Sequence, residues 1–193
     1  MKIAARILPL LAAGLLCAGC VVRSIQPWLS DESRVTEPAL AGAWHDAQGK
    51  CVAFFSDSDD SDWDYAVLLV QDNKDLSRFT ASLHRIDDAL LLAVGPENPD
   101  NLNGCVLLPG HLLLKAVCEG DSLKLYNVDL ESFADRAAKS PVALVPGGSA
   151  NDGFTLGGST AEVEAFLRAQ LADPEFFDAE PLYSFRKLPA AAP

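Results

Sequence analysis

Between Leu40 and Val128 the chain repeats one pattern: a short run rich in Val, Leu, Phe or Tyr, then a turn signal, then another run. The runs fall at 40–44, 51–55, 65–70, 79–86, 89–94, 105–108, 111–118 and 122–128. Gln48-Gly49, Asp72-Asn73-Lys74-Asp75, Asp87-Asp88 and Glu119-Gly120-Asp121 separate most of them, and a longer loop with Pro96, Pro99 and Gly104 lies mid-chain. Runs this short suit strands rather than helices. Strands that follow one another through tight turns pair with their neighbours, so the pattern confines the chain to an antiparallel meander, open or closed into a barrel. The hairpin around Gly120 is the most clearly marked, because Leu123 and Leu125 alternate with Lys124 just beyond it.

After Val128 the period changes. Asp129 is placed to cap a helix over 130–139, with Leu130, Phe133, Ala134 and Ala137 on one face and Pro141 ending it. Ser159 and Glu162 form a capping box ahead of Val163, Phe166, Leu167 and Leu171, which recur at helical spacing, and Pro174 stands past the end. Residues 142–145 are expected as a short strand, 147–153 as a flexible loop, 183–188 as a closing strand and 190–193 as a loose tail. The expected class is α+β, mainly antiparallel β as a meander or barrel, with two helices in the carboxy-terminal half.

The first twenty residues carry a different message. Lys2 and Arg6 precede an apolar stretch through Leu8, Leu11 and Leu16, which ends on Ala18, Gly19 and Cys20. That is the layout of a secretory signal. Only sixteen uncharged residues separate Arg6 from Arg23, Pro9 and Gly14 among them, against about 20 for a spanning helix. The run Leu16-Cys17-Ala18-Gly19-Cys20 resembles the lipobox of bacterial lipoproteins, with Cys17 where that family has an aliphatic residue. The resemblance implies cleavage before Cys20, lipidation of its thiol (diacylglycerol, with an amide-linked chain such as palmitate), and stable attachment through more than one chain. Val21 rather than Asp at the next position implies the outer membrane, facing the periplasm. The expected layout is a signal peptide at 1–19, a lipidated tether at 20–38 and one β-rich domain at 39–189. A flexible tether of that length would reach about 23 Å root-mean-square; docking of Ile25 and Trp28 on the domain or on the membrane interface is the alternative.

Composition narrows the partners. The formal charge of −12 becomes −14 when Lys2 and Arg6 leave with the signal. So acidic a surface repels nucleic acid and anionic lipid headgroups and favours cationic ligands or partners, and no nucleic-acid partner is expected. Cys51, Cys105 and Cys118 are the candidate disulfide partners in an oxidising compartment, and three pairings are open. No C-x-x-C or Cys-His spacing suggests a metal. The acidic run at Asp57, Asp59, Asp60, Asp62 and Asp64 fails as an EF-hand, since Asp62 stands at the glycine position and Leu68 at the glutamate position. Neither Ser149 nor Ser159 lies in a G-x-S-x-G frame, and 147–153 lacks the Lys-Ser of a phosphate loop. No catalytic residue, cofactor or metal is expected, and the chain is read as a non-enzyme.

Leu40-x-Gly42-x-Trp44 resembles the opening of lipocalins, which implies an eight-stranded barrel whose bottom is closed by that glycine and tryptophan. A helix at 130–139 that interrupts the strand series departs from that family. Across the whole chain the sequence is similar to a set of small bacterial lipoproteins of unassigned activity, through the same opening, the Pro109-Gly110-His111 step and the Arg186-Lys187 pair. Trp44 and His111 are the residues to weigh as ligand contacts or core. The expected function is a lipid-anchored envelope domain that binds an unknown envelope protein or a small ligand, with a lipocalin-like carrier of an apolar molecule as the alternative. A periplasmic hydrolase is a further one.

Overall fold

A computed structural model of the chain describes residues 21–57, 64–71, 75–96, 110–145 and 153–189. The strands are β1 (Val22–Ser24), β2 (Gly42–Asp46), β3 (Cys51–Asp57), β4 (Tyr65–Gln71), β5 (Leu76–Ile86), β6 (Ala89–Pro96), β7 (His111–Glu119) and β8 (Ser122–Tyr126). Helix α1 (Leu130–Ala138), β9 (Phe154–Leu156), helix α2 (Thr160–Gln170) and β10 (Tyr183–Lys187) complete the series.

Strands β2 to β8 pair with their sequence neighbours, antiparallel throughout, and β10 closes the circuit between β8 and β2. The result is an eight-stranded antiparallel barrel with the two helices inserted between its seventh and eighth strands. The expected 105–108 run, Cys105 itself and most of the 57–64 acidic run lie outside the described residues.

Alternation explains the interior. From each barrel strand one face points inward, as with Ala53 and Phe55, Ala81 and Leu83, or Leu123 and Leu125, and these residues form one core. Strand β6 is apolar on both faces because its outer side is covered as well. Ile86, Leu91 and Leu113 join a second core with Phe133 and Ala137 of α1 and Val163, Phe166 and Leu167 of α2. Edge-on phenylalanine contacts lock this outer layer: Phe133 lies 5.9 Å from Phe166, which lies 6.1 Å from Phe176.

Both helix starts are as expected. The Asp129 carboxylate accepts from the N–H groups of Glu131 and Ser132, and Ser159 and Glu162 cap each other reciprocally. The expected strand at 142–145 is reduced to a single bridge between Leu144 and Leu156.

The amino-terminal segment corrects the expectation of a tether. Ahead of Lys115, at its start, the edge of β7 is free of β8, and β1 takes it, pairing antiparallel with β7 and parallel with β9. Trp28 is 0 % exposed and its indole N–H donates to the His111 carbonyl at 2.8 Å. The Ser30 N–H donates to Glu164 at 2.8 Å, and the Val35 N–H to the Leu83 carbonyl at 2.8 Å. Trp28 docks on the domain, the alternative to a free tether, and Val22 and Leu29 sink into the outer core with it.

Candidate functional site

One end of the barrel is plugged. Trp44 points down the bore from β2 and donates to the Leu40 carbonyl at 2.9 Å. The Tyr65 hydroxyl accepts from the Glu37 N–H and donates to the Glu37 carbonyl, at 3.0 and 3.1 Å. Lys187 reaches over the indole, 5.2 Å from the ring centroid, and donates to the Ala39 carbonyl at 2.6 Å. The 34–41 stretch is thereby tied across the floor. Gly42 suits this crossing twice over: its φ is +129°, and a Cβ there would sit 3.1 Å from the Lys187 side chain. Trp44 is therefore core and floor.

Toward the other end the bore stays open. Carrying the pairing registers once around the closed sheet from Cys51, through Asp46, Phe185, Leu123 and Cys118, returns to β3 twelve residues further along. An α/β barrel of eight strands has a shear of only about 8 and is filled by its own side chains. A larger stagger tilts the strands more and widens the bore, which is how an eight-stranded barrel comes to hold a small ligand. Here the interior side chains leave a cavity of about 190 Å³.

Its walls are Val67 and Leu69 from β4, Leu92 and Val94 from β6, Leu112 and Leu114 from β7, and the rings of Phe55, Phe79, Tyr183 and Phe185. Val21, Asn127 and Leu182 line it where β8 ends and β1 begins. Asn127 and the Tyr183 hydroxyl are the polar groups among these residues. Tyr183 stacks on Phe185 at 5.3 Å, and burial, then the nearby Cys51, pushes its phenol above the ordinary value, so the group stays neutral.

The other sequence candidates fall elsewhere. His111 starts β7, half-buried, and burial holds its imidazole below the ordinary range. Cys51 and Cys118 both belong to the barrel interior, with three strands between them, and are unbridged. Burial raises both thiols, with Asp46 adding to the effect at Cys51 and Glu37 at Cys118. Cys20 lies outside the described residues. Among the described residues no group of three or more His, Cys, Asp or Glu could hold a metal ion.

A serine-histidine contact exists that sequence spacing did not single out. The Ser82 hydroxyl lies 2.8 Å from Nε2 of His84, and the Ser33 hydroxyl 3.0 Å from its Nδ1. Both β5 side chains are buried, and Nδ1 faces a hydroxyl where a catalytic triad would have a carboxylate. Burial and the neighbouring Arg34 lower the imidazole pKa. The ring pins the 30–35 segment to the barrel wall. No family model, curated protein or solved structure matches the chain.

The Leu40-x-Gly42-x-Trp44 motif thus pointed to the closed end, while the cavity itself was not marked by any motif. Its signal lay in alternation: Tyr183 and Phe185 are spaced by two, as are Val67 and Leu69, and Leu112 and Leu114.

Proposed function

We propose that the protein is a lipid-anchored envelope protein that carries a small apolar molecule in its barrel. The supporting observation is the cavity: about 190 Å³, walled by aliphatic and aromatic side chains, in a barrel whose other end is packed shut around Trp44. A dry apolar cavity of about 150 Å³ accepts benzene, so this one suits a single ring or a chain of about eight carbons. The anchor rests on the lipobox-like run ending at Cys20. Val21, the next residue, lines the cavity, so a lipid on Cys20 would hold the barrel against the bilayer with no slack between them.

Calorimetric titration of the mature chain with toluene and 1-octanol tests the carrier role. Saturable one-site binding is expected, and Leu114→Trp should abolish it by filling the bore while the circular-dichroism spectrum is retained. Absence of saturable binding to the wild-type chain sinks the proposal. Cys20→Ala should move the protein from membranes to the soluble periplasm; a variant that still sediments with membranes removes the anchor.

One observation favours a second reading, an interaction module. The outer face of β3 and β4 carries an apolar patch that Leu76 at the start of β5 extends, with Phe54 40 % and Leu76 52 % exposed beside half-buried Leu68 and Val70 and with Arg78 at its border. Binding to an envelope protein there would be lost in Phe54→Ser with ligand titration unchanged.

A further inference from the structure

We infer that the barrel takes a single-chain amphiphile with an anionic head, its tail in the bore and its head on Arg23. This rests on the proposed carrier role and adds the chemistry of the ligand's head. Alternate residues of a strand share a face, so Arg23 lies on the same face as Val21, which lines the cavity. Its partner across the ladder is Leu112, another lining residue. Arg23 thus continues the cavity wall outward to the rim, where it is exposed.

The side chain is held in place. Gly110 leaves it room, since a Cβ there would stand 3.3 Å from the Arg23 Cδ. Its Nε donates to the Thr155 hydroxyl at 3.0 Å. That bond uses one nitrogen of the fork and leaves the two terminal nitrogens, which make no hydrogen bond or ion pair with the described residues. A guanidinium so placed presents two donors in the geometry that carboxylate and phosphate oxygens match. The tail's environment is set by the leucines, valines and phenylalanines below, which reject charge. The net charge of −12 opposes anions at long range, but beyond about 8 Å that field is screened at physiological ionic strength, whereas the guanidinium acts in contact.

The test is calorimetry on the mature chain with octanoate, octyl phosphate and 1-octanol, which share a tail and differ in the head. Both anions should bind about tenfold more tightly than the alcohol. Arg23→Gln should bring the anions to the alcohol's affinity and leave the alcohol unchanged, which also shows that the bore is intact. Arg23→Lys should keep part of the preference, because it retains charge and loses the fork. A preference for octyl phosphate would mark a lipid headgroup as the natural source, and one for octanoate a free acid. Equal affinity of alcohol and anions in the wild-type chain, or a preference that survives Arg23→Gln, overturns the inference. No saturable binding of any of the three instead overturns the carrier role beneath it.

Discussion

Replacing Trp28 by alanine separates a built-in amino-terminal segment from a tether. The indole is 0 % exposed, lies among the residues of the outer core, and donates to the His111 carbonyl at 2.8 Å. Removing a buried tryptophan side chain costs about 3 to 5 kcal/mol where the surroundings cannot collapse. The loss has a ceiling, because residues 21–35 can peel from the barrel once their contacts no longer hold them. Those contacts include Val22, Leu29, the β1 ladder and the Ser30 N–H on Glu164, so the ceiling is high. Trp28→Phe keeps most of the apolar area and strands one carbonyl, a loss of about 1 to 3 kcal/mol. Urea unfolding of the chain, followed by far-ultraviolet circular dichroism, reads both. At a slope of about 2 kcal/mol per molar, Trp28→Ala should lower the midpoint by roughly 2 M, and Trp28→Phe by less, with the slope unchanged. A Trp28→Ala midpoint equivalent to less than about 0.5 kcal/mol from wild type would refute the reasoning, since that is the range of surface substitutions.

Lys187→Met should cost about 1 to 2 kcal/mol, because it removes both the bond to the Ala39 carbonyl and the cation over Trp44. Faster proteolysis within 34–41 would accompany it, and an unchanged melting temperature would argue against the closed floor. Asp129→Ala should cost about 1 kcal/mol by uncapping α1, read in the same urea titration, with Asp129→Asn close to neutral. His84 is held below the ordinary imidazole range by burial and Arg34, and His111 by burial. The folded state therefore binds fewer protons than the unfolded chain, so the associated stability is complete above about pH 6.5 and declines as pH falls toward the lowered folded values. Melting temperatures should drop between about pH 7.5 and 5, and His84→Gln should flatten that slope. A pH-independent melting temperature in the wild-type chain would contradict the burial of both rings.

The sequence alone determined the meander, because strand length, turn chemistry and alternation are local properties. Gly49 and Gly120 take positive φ in the turns where they were expected, and the caps at Asp129 and Ser159 formed as spaced. Only the tertiary structure decided the rest. Whether a meander closes depends on β10 meeting both β8 and β2, a pairing between residues more than a hundred positions apart for β2. The width of the bore depends on the summed stagger of eight pairings, to which no single run testifies. Residues 21–35 broke every local period, yet they pack because β7 offers a free edge and the helices a buried slot. Arg23 is polar, solvent-exposed and unremarkable in the chain, and acquires a role only because β1 sets it beside Leu112 at the rim of an apolar cavity.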